Sequence, residues 1–376
     1  MQSRVKFVVV ILYAVVAISA IFLFPSLLPR NPSTTANDQV NNRVQGSGIF
    51  EEVFQYPDVF LRNYALMEKG FKIFIYPNKL DDEAMYYNDE TEGFSTEMFF
   101  YYHLNFSERF YTDDDAEAHM FFIPLTCFQI GRTRNYTNAE NYVRHIINEY
   151  PHWNRSKGVD HFLLTCCDAG EKFSERVPLN NSIRVSCFTS NDSRHDIHHK
   201  HHHTTIPQMG LTFGPPVRGN DIHQRTKLAF WACHKNYPAR ASASDWDKYS
   251  DEEKFKASKY CICDGASYVT RICITDSIHF GCVPVILYED YELPFSDILD
   301  WAKFSVIITK DDPLRVEQIL EAMSHSKFSE LHNNVLKVQR HFHANSALEG
   351  DKPYDIFHMI MYELWLRHLA RSFFDF

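Results

Sequence analysis

The chain has 376 residues, of which 45% are hydrophobic and 23% are charged. These fractions are typical of globular proteins and exclude both wholesale disorder and a bundle of membrane spans, while the length suits two packed lobes with an appendage. The 38 basic and 48 acidic residues give a net charge of −10, and the basic residues are scattered. We therefore expect no nucleic-acid partner, because binding to a phosphate backbone depends on clustered lysine and arginine.

The first 30 residues predict a membrane anchor. Arg4 and Lys6 precede residues 7–28, a run without charge that is long enough to cross the ~30 Å hydrocarbon core of a bilayer as a helix. The basic side chains on its N-terminal side favour a cytosolic N-terminus, which leaves the rest of the chain in the lumen. A cleaved signal peptide is the alternative. Against it, the apolar run is long, and Ile18-Ser19-Ala20 lacks a small residue three positions before the cut.

Five triplets fit the N-glycosylation acceptor pattern, which agrees with a luminal body. None lies after Asn191, so we expect the C-terminal half to be more closely packed or functionally crowded. The predicted glycosylated residues are Asn105, Asn135, Asn154, Asn180 and Asn191.

Short apolar runs alternate with helical stretches from Phe71 onward, stop at residues 191–221, and then start again. Such alternation is the pattern of a parallel sheet covered by helices, and its repetition predicts an α/β protein of two Rossmann-like lobes. The predicted strands are 71–76, 119–124, 159–165, 183–187, 227–232, 260–263, 283–287 and 304–308. The predicted helices are 96–106, 139–150, 251–258, 272–280 and 314–323, with an aromatic C-terminal helix at 354–369 that packs back across the lobes.

The nine cysteines include Cys261 and Cys263, which fall on one face of a predicted strand. An odd number leaves at least one thiol unpaired even where an oxidising lumen pairs others. Cys261 and Cys263 together resemble half of a structural zinc site, but the chain has no second pair of cysteines at a matching spacing. We therefore predict that both side chains are small buried hydrophobic groups.

A strand, a Gly/Ser loop and a helix follow one another from Cys263 to Thr275. This order predicts a diphosphate site, because a helix N-terminus presents free N–H groups and a partial positive charge. We place Gly265 and Ser267 in the loop. Asp276 is expected one turn after the start of the predicted helix at Ile272. At that place a carboxylate can bind two ribose hydroxyls, as acidic residues do in dinucleotide-binding folds. The alternative role for Asp276 is a charge-favoured helix start.

Two further clusters resemble metal sites but have simpler explanations. Six histidines between His195 and His203 lie in a polar segment between the lobes, where we predict a solvated loop. Asp113-Asp114-Asp115 precedes a predicted strand, and we predict a solvated turn. We therefore expect no metal site and no obligatory cofactor.

Residues 260–301 read YCICDGASYVTRICITDSIHFGCVPVILYEDYELPFSDILDW. This segment resembles the exostosin-like family of glycosyltransferases, especially its plant cell-wall members. The shared features are a Cys-x-Cys strand, a Gly/Ser loop, an acidic helix start, Gly-Cys-Val-Pro-Val and Leu-Pro-Phe, in that order. Further similarity at residues 118–124, 151–162 and 228–236 extends the resemblance over roughly residues 50 to 345. It implies a two-lobed glycosyltransferase-B fold, a nucleotide-sugar donor, inversion at the anomeric carbon and a type II Golgi membrane protein.

With this resemblance the chain divides into six parts. They are a cytosolic tail at 1–6, the transmembrane anchor at 7–28, a luminal stem at 29–50, an acceptor-side lobe at 51–215, a nucleotide-sugar-binding lobe at 216–345 and the C-terminal helix at 346–376. The expected partners are a UDP-sugar, a polysaccharide acceptor, the Golgi membrane and other glycosyltransferases.

Transfer with inversion needs a base for the acceptor hydroxyl and positive groups for the departing diphosphate. We predict Asp168 as the catalytic base. Asp160 and His161 are further candidates, and loop capping is the alternative role for Asp168. Lys235 and Arg240 supply positive charge, although Lys235 suits a solvated surface equally well. The predicted donor-binding set is Lys235, Asn236, Arg240, Gly265, Ser267, Arg271, Asp276 and Ser277.

The chain departs from the family pattern at the donor loop. Family members carry Pro-Gly after Cys-x-Cys, whereas Asp264-Gly265 stands here and places an anion beside the diphosphate. Cys273 replaces the family arginine three residues before the acidic residue, and Arg271 lies two residues earlier. Cys233 and Cys167 replace a glycine and a histidine of other family motifs.

We predict an inverting glycosyltransferase that moves a sugar from a UDP-sugar to a cell-wall polysaccharide in the Golgi lumen. The alternative from another class is a catalytically impaired member that binds glycans or forms complexes. A luminal hydrolase would need paired carboxylates across one cleft, and no spacing in the chain demands such a pair.

Overall fold

The structure is a computed structural model. It describes residues 48–77, 96–126, 130, 137–166, 173, 177, 179, 181–187, 202–209, 216, 222–232, 249–263, 268–287, 292–308, 315–345 and 352–371. The predicted anchor at 7–28 and most of the predicted stem lie outside these residues. Within the described part of the chain, no helix is long and apolar enough to span a membrane.

Six parallel strands form the first sheet, in the order β2-β1-β3-β4-β5-β6. Strands β3 and β4 are buried at every position, as is typical of central strands in a parallel sheet with both faces covered. The strands are β1 Ile73–Ile75, β2 Tyr111–Thr112, β3 Met120–Phe122, β4 His161–Thr165, β5 Ile183–Ser186 and β6 His203–Thr205. The helices described in this part are α1 Pro57–Gly70, α2 Thr96–Asn105, α3 Thr137–Glu149 and α4 Pro151–Ser156.

Four parallel strands form the second sheet, in the order β10-β9-β8-β7. The strands are β7 Lys227–Trp231, β8 Ser258–Cys263, β9 Val283–Ile286 and β10 Val306–Ile307. The helices are α5 Asp251–Ala257, α6 Tyr268–His279, α7 Val316–Ala322, α8 His325–Phe342 and α9 Ile356–Arg371. Local sequence fixes two of the helix starts: Ser250 and Glu253 form a capping box at α5, and the Ser324 hydroxyl accepts from the Lys327 N–H at α8.

Aromatic rings join the first sheet to the C-terminal helix. Phe122 of β3 stacks on Phe162 of β4, with ring centroids 4.8 Å apart. Phe100 of α2 meets both rings edge-on. Phe357 of α9 lies 5.9 Å from the Phe100 ring, so the C-terminal helix packs back on the first sheet.

The predicted alternation of helices and parallel strands is confirmed, and every predicted strand overlaps an observed one. The short strands β2 and β6 and the helices α1, α4 and α8 are additions. Strand β6 corrects the predicted solvated loop: it begins at His203, and the β-branched Thr204 and Thr205 are buried where they pair with β5. The predicted turn at Asp113–Asp115 is confirmed as exposed.

Glu363 of α9 is a buried carboxyl against β6. Its Oε2 accepts a hydrogen bond from Thr204 Oγ1 at 3.0 Å and lies 3.6 Å from Arg367 Nη2. Arg367 is shared, because it also donates to His203 O and to the exposed Asp297, each at 3.1 Å. Burial raises the pKa of Glu363 to about 7, and the attraction of Arg367 offsets only part of that rise.

We expect the fold to lose stability as the pH rises from 4.5 to about 7. Over this interval the unfolded chain has released the proton of Glu363 while the folded chain still holds it, so each pH unit costs up to about 1.4 kcal/mol. Glu363→Gln removes the titrating group and should flatten this dependence in urea unfolding of the full chain. Asp113→Asn, in the exposed turn before β3, is the control and should keep it. An unchanged slope in Glu363→Gln would contradict the assignment.

Candidate active site

The predicted strand, loop and helix form at the carboxyl end of β8. Strand β8 ends at Cys263 and helix α6 begins at Tyr268, four residues earlier than the predicted start at Ile272. The first backbone N–H groups of a helix have no partner within it, and the helix dipole makes this end positive. This end of α6 can therefore bind an anion such as a diphosphate.

The opposite end of α6 is closed by protein groups. Gln339 Nε2 of α8 donates to the carbonyls of Ile278 and His279, both at 3.0 Å. His332 Nδ1 lies 2.9 Å from the carbonyl of Gly281. Gly281 has a φ of 69°, in the left-handed region, which is the usual conformation just after a helix end.

Arg225 is a buried cation that binds the ends of two helices. Its Nη1 donates to Phe255 O at 2.9 Å and Ser258 O at 2.7 Å, and its Nη2 donates to Phe280 O at 2.5 Å. A cation is favourable there because the C-terminal carbonyls of α5 and α6 carry partial negative charge. Burial lowers the pKa of Arg225 to about 10, which leaves it charged at neutral pH. Burial, and then the charge of Arg225, lower the pKa of His332 to about 4 and keep that ring neutral.

Two disulfides attach α6 to the second sheet. Cys263 of β8 is bonded to Cys273 within α6, and Cys261 of β8 is bonded to Cys282 just after the helix. The predicted burial of Cys261 and Cys263 is confirmed, and the structure adds that each of them is half of a disulfide. Residues two apart on a strand share a face, and α6 and its following turn cover that face and bring a cysteine to each.

The Cys263–Cys273 disulfide lies at the position where the related sequences carry an arginine. Cys273 is fully buried and bonded, so no positive charge occupies this position. The backbone of Arg271 lies in the first turn of α6, while its side chain lies outside the described part of the structure. Its contact with the phosphates therefore stays a prediction.

Asp276 and Ser277 lie deeper in α6 than expected. Because the helix begins at Tyr268, Asp276 is roughly 12 Å along its axis rather than one turn in. The predicted donor contact of Ser277 was wrong: its hydroxyl is fully buried, donates to Cys273 O at 2.6 Å and lies 3.7 Å from Cys263 Sγ. Asp276 is half-buried, and its role in binding ribose stays a prediction.

Helix α6 also contacts the carboxyl end of the first sheet. Thr275 Oγ1 donates to Gln208 O at 2.7 Å, just after β6. The next residue, Met209, donates its N–H to Thr96 Oγ1 at the start of α2. The predicted donor helix and the predicted acceptor lobe are therefore in direct contact.

Glu97 is a site residue that sequence reasoning missed. It is 3% exposed, and its Oε1 accepts from the Cys166 N–H at 2.8 Å at the end of β4. Cys166 is further held to the end of β5 by a disulfide with Cys187. Cys166 is thus held in place at the end of β4, two residues before the predicted base Asp168.

Asp160 and His161 are structural rather than catalytic. They lie at the start of β4, the edge opposite to Cys166, and both are buried. His161 Nδ1 is 2.7 Å from Asp160 Oδ1, and its Nε2 is 2.7 Å from the Tyr76 hydroxyl. Burial alone would raise the pKa of Asp160, but hydrogen bonds from His161 and Ser156 outweigh it and lower the pKa to about 2. The candidate bases Asp160 and His161 are therefore rejected.

Several predicted residues cannot be placed because they lie outside the described residues. Among the residues that the structure does describe, no group of three or more His, Cys, Asp or Glu side chains is arranged to hold a metal ion. The unplaced site residues are Asp168, Lys235, Asn236, Arg240, Gly265 and Ser267, and the unplaced acceptor asparagines are Asn135, Asn180 and Asn191. Asn105 and Asn154 are both exposed.

Comparison with known proteins agrees with the resemblance. The model of the exostosin GT47 domain matches residues 67–227 and 224–323. Two probable glycosyltransferases of Arabidopsis thaliana are 33% identical over 342 residues and 32% identical over 352 residues. These alignments cover 83% and 85% of the chain, and 64% and 73% of the relatives, so the chain spans less than two thirds of the first. A probable glucuronosyltransferase 47 A of Physcomitrium patens is 26% identical over 260 residues, which cover 58% of the chain and 56% of the relative.

We expect the Cys263–Cys273 disulfide to hold the first half of α6 against β8. Replacing both residues by serine should lower the free energy of unfolding by about 2–3 kcal/mol, because the unfolded chain is then less constrained. It should also speed amide hydrogen exchange at residues 268–275. The matched control replaces Cys166 and Cys187 by serine, which should destabilise the fold without faster exchange at the start of α6. Equal exchange in both variants would contradict the proposed constraint.

Proposed function

The chain belongs to the exostosin GT47 family, and we propose that it transfers a sugar from a UDP-sugar to a cell-wall polysaccharide, with inversion at the anomeric carbon. We further propose that it does so in the Golgi lumen as a type II membrane protein anchored by residues 7–28. The observation that carries the proposal is the position of α6. Its N-terminal end, which the helix dipole makes positive, follows the carboxyl end of β8 in the chain, and its middle contacts the segment after β6 through Thr275 and Gln208.

The donor binds with its diphosphate at the N-terminus of α6. The helix amides offset the negative charge of the phosphates, and Arg271, Lys235 and Arg240 are the proposed cations around them. Asp276 is the proposed partner of the ribose hydroxyls. Because the amides and these cations carry the charge of the departing UDP, the reaction proposed here needs no obligatory metal.

Transfer proceeds as a single displacement. The acceptor hydroxyl oxygen attacks the anomeric carbon, the bond from that carbon to the β-phosphate oxygen breaks, and UDP leaves with the electron pair. Asp168 takes the proton of the attacking hydroxyl. The disulfide at Cys166 and the hydrogen bond from Cys166 to Glu97 support this role, because they fix the strand end from which Asp168 follows.

A second candidate function is supported by the Cys263–Cys273 disulfide. Cys273 of this disulfide stands at the position where family members carry an arginine, and Asp264 adds a negative charge directly after Cys263 in the sequence. Both features weaken binding of a diphosphate. A family member that no longer transfers, and that binds glycans or forms complexes with other glycosyltransferases, would have this arrangement.

Calorimetry and a transfer assay separate the two functions. The full chain, purified in detergent, is titrated with UDP and then supplied with a panel of UDP-sugars and wall polysaccharides. The transferase should bind UDP and release it from a donor only when an acceptor is present. Glycan binding without UDP binding at millimolar ligand would instead establish the second function.

The role of Asp276 is tested in the same titration. Asp276→Ala should weaken UDP binding about tenfold or more, because a ribose hydroxyl loses a charged hydrogen-bond acceptor. Ser277→Ala is the matched control: this neighbour is buried under the disulfide, so its loss should lower stability and leave UDP affinity unchanged. Unchanged affinity in Asp276→Ala would contradict the ribose role.

A further inference from the structure

A groove of about 740 Å³ lies between the end of α2 and the start of α9. It is separate from the candidate active site, because α2 begins at the contact with Met209 and ends roughly 14 Å further along its axis. The groove is large enough for a ligand of two or more rings. Its lining includes His103, Phe106, Ser107, Arg109, Lys352 and Asp355, and we call it the α2–α9 groove.

Three charged side chains of the α2–α9 groove have partners within the protein. Arg109 is paired with the Glu68 carboxylate. Lys352 Nζ donates to Asn345 Oδ1 at 3.0 Å, and Asn345 Nδ2 donates to Asp355 Oδ2 at the same distance. With Glu108 as a further lining carboxylate, the groove offers polar edges and no excess of positive charge, which suits a ligand rich in hydroxyl and amide groups.

Aromatic residues flank Asn105 at the end of α2, next to residues that line this groove. Tyr101 and Tyr102 precede Asn105 by four and three residues on α2, so they share its face of the helix. Phe106 follows directly, is 69% exposed, and stacks on Tyr102 with ring centroids 6.4 Å apart and planes 5° from parallel. Tyr102 is half-buried beside the exposed Phe106, and this parallel pair provides an apolar face of the kind on which a sugar ring packs its C–H groups.

We propose that Asn105 carries an N-linked glycan whose first sugar packs on Tyr102 and Phe106 and whose next sugar fills the α2–α9 groove. Asn105-Phe106-Ser107 is an acceptor triplet, and its second and third residues line the groove. The bound sugars tie α2 to the segment that leads into α9. The inference rests on the luminal placement within the proposed function, but not on sugar transfer.

The test compares melting temperatures of the full chain, purified from a glycosylating host, before and after enzymatic removal of its glycans. Removal should lower the melting temperature of the wild type by about 2–4 °C, because the rings and groove lose their cover. Asn105→Gln should reproduce this loss. Phe106→Ser keeps the acceptor triplet, so the glycan should remain attached while its removal changes the melting temperature little. Asn154→Gln, which removes an exposed site on α4, is the matched control and should behave like the wild type.

Three results would overturn the inference. One is a melting temperature that does not respond when the Asn105 glycan is removed, and another is an unmodified Asn105 in a chain glycosylated at Asn154. The third is binding of free wall polysaccharide in the groove of the wild type while its Asn105 glycan is attached, which would make the acceptor the occupant of the groove. If no acceptor triplet carries a glycan, the luminal placement fails as well, whereas loss of UDP binding alone leaves this inference standing.

Discussion

Helix α6 is held by protein groups at its C-terminal end, and the candidate site depends on the partial positive charge of its N-terminal end. Gln339, Arg225 and His332 satisfy the carbonyls at and beyond its C-terminal end. The disulfides from Cys261 and Cys263 attach the helix to β8. The protein therefore supplies positive charge and N–H donors to the negative end of the helix, and the opposite, positive end has the charge that suits an anion.

Contact between the sheets adds a second constraint. Thr275 of α6 is tied to Gln208 by a hydrogen bond that is buried on both sides, and the residue after Gln208 is tied to the start of α2. From there Glu97 holds the end of β4. The position of the donor helix and the position of the proposed base are thus linked through consecutive hydrogen bonds, so displacement of α6 would disturb both halves of the site.

The sequence was sufficient to predict the two α/β halves, because the central strands are continuous apolar runs and the helices between them are long. The strands β2 and β6 escaped prediction because neither is an apolar run: β2 is Tyr111–Thr112, and β6 begins within a histidine-rich segment. Their pairing is decided by neighbouring strands rather than by their own composition.

The site was predicted less completely than the fold, and one error explains several of the differences. The start of α6 was expected at Ile272, which put Asp276 one turn in and left Ser277 available to the donor. With the helix starting at Tyr268, Ser277 is buried and Cys273 meets Cys263. Disulfide partners depend on which helix covers a strand face, and sequence spacing alone does not determine that.

Amide hydrogen exchange of the full chain with and without saturating UDP tests the central claim most directly, because it observes the helix N-terminus itself. The backbone amides of residues 268–271 should exchange more slowly when UDP is bound, while those of α3 should be unaffected. Protection confined to the first sheet, or no protection anywhere at millimolar UDP, would contradict the assignment of α6 as the donor-binding helix.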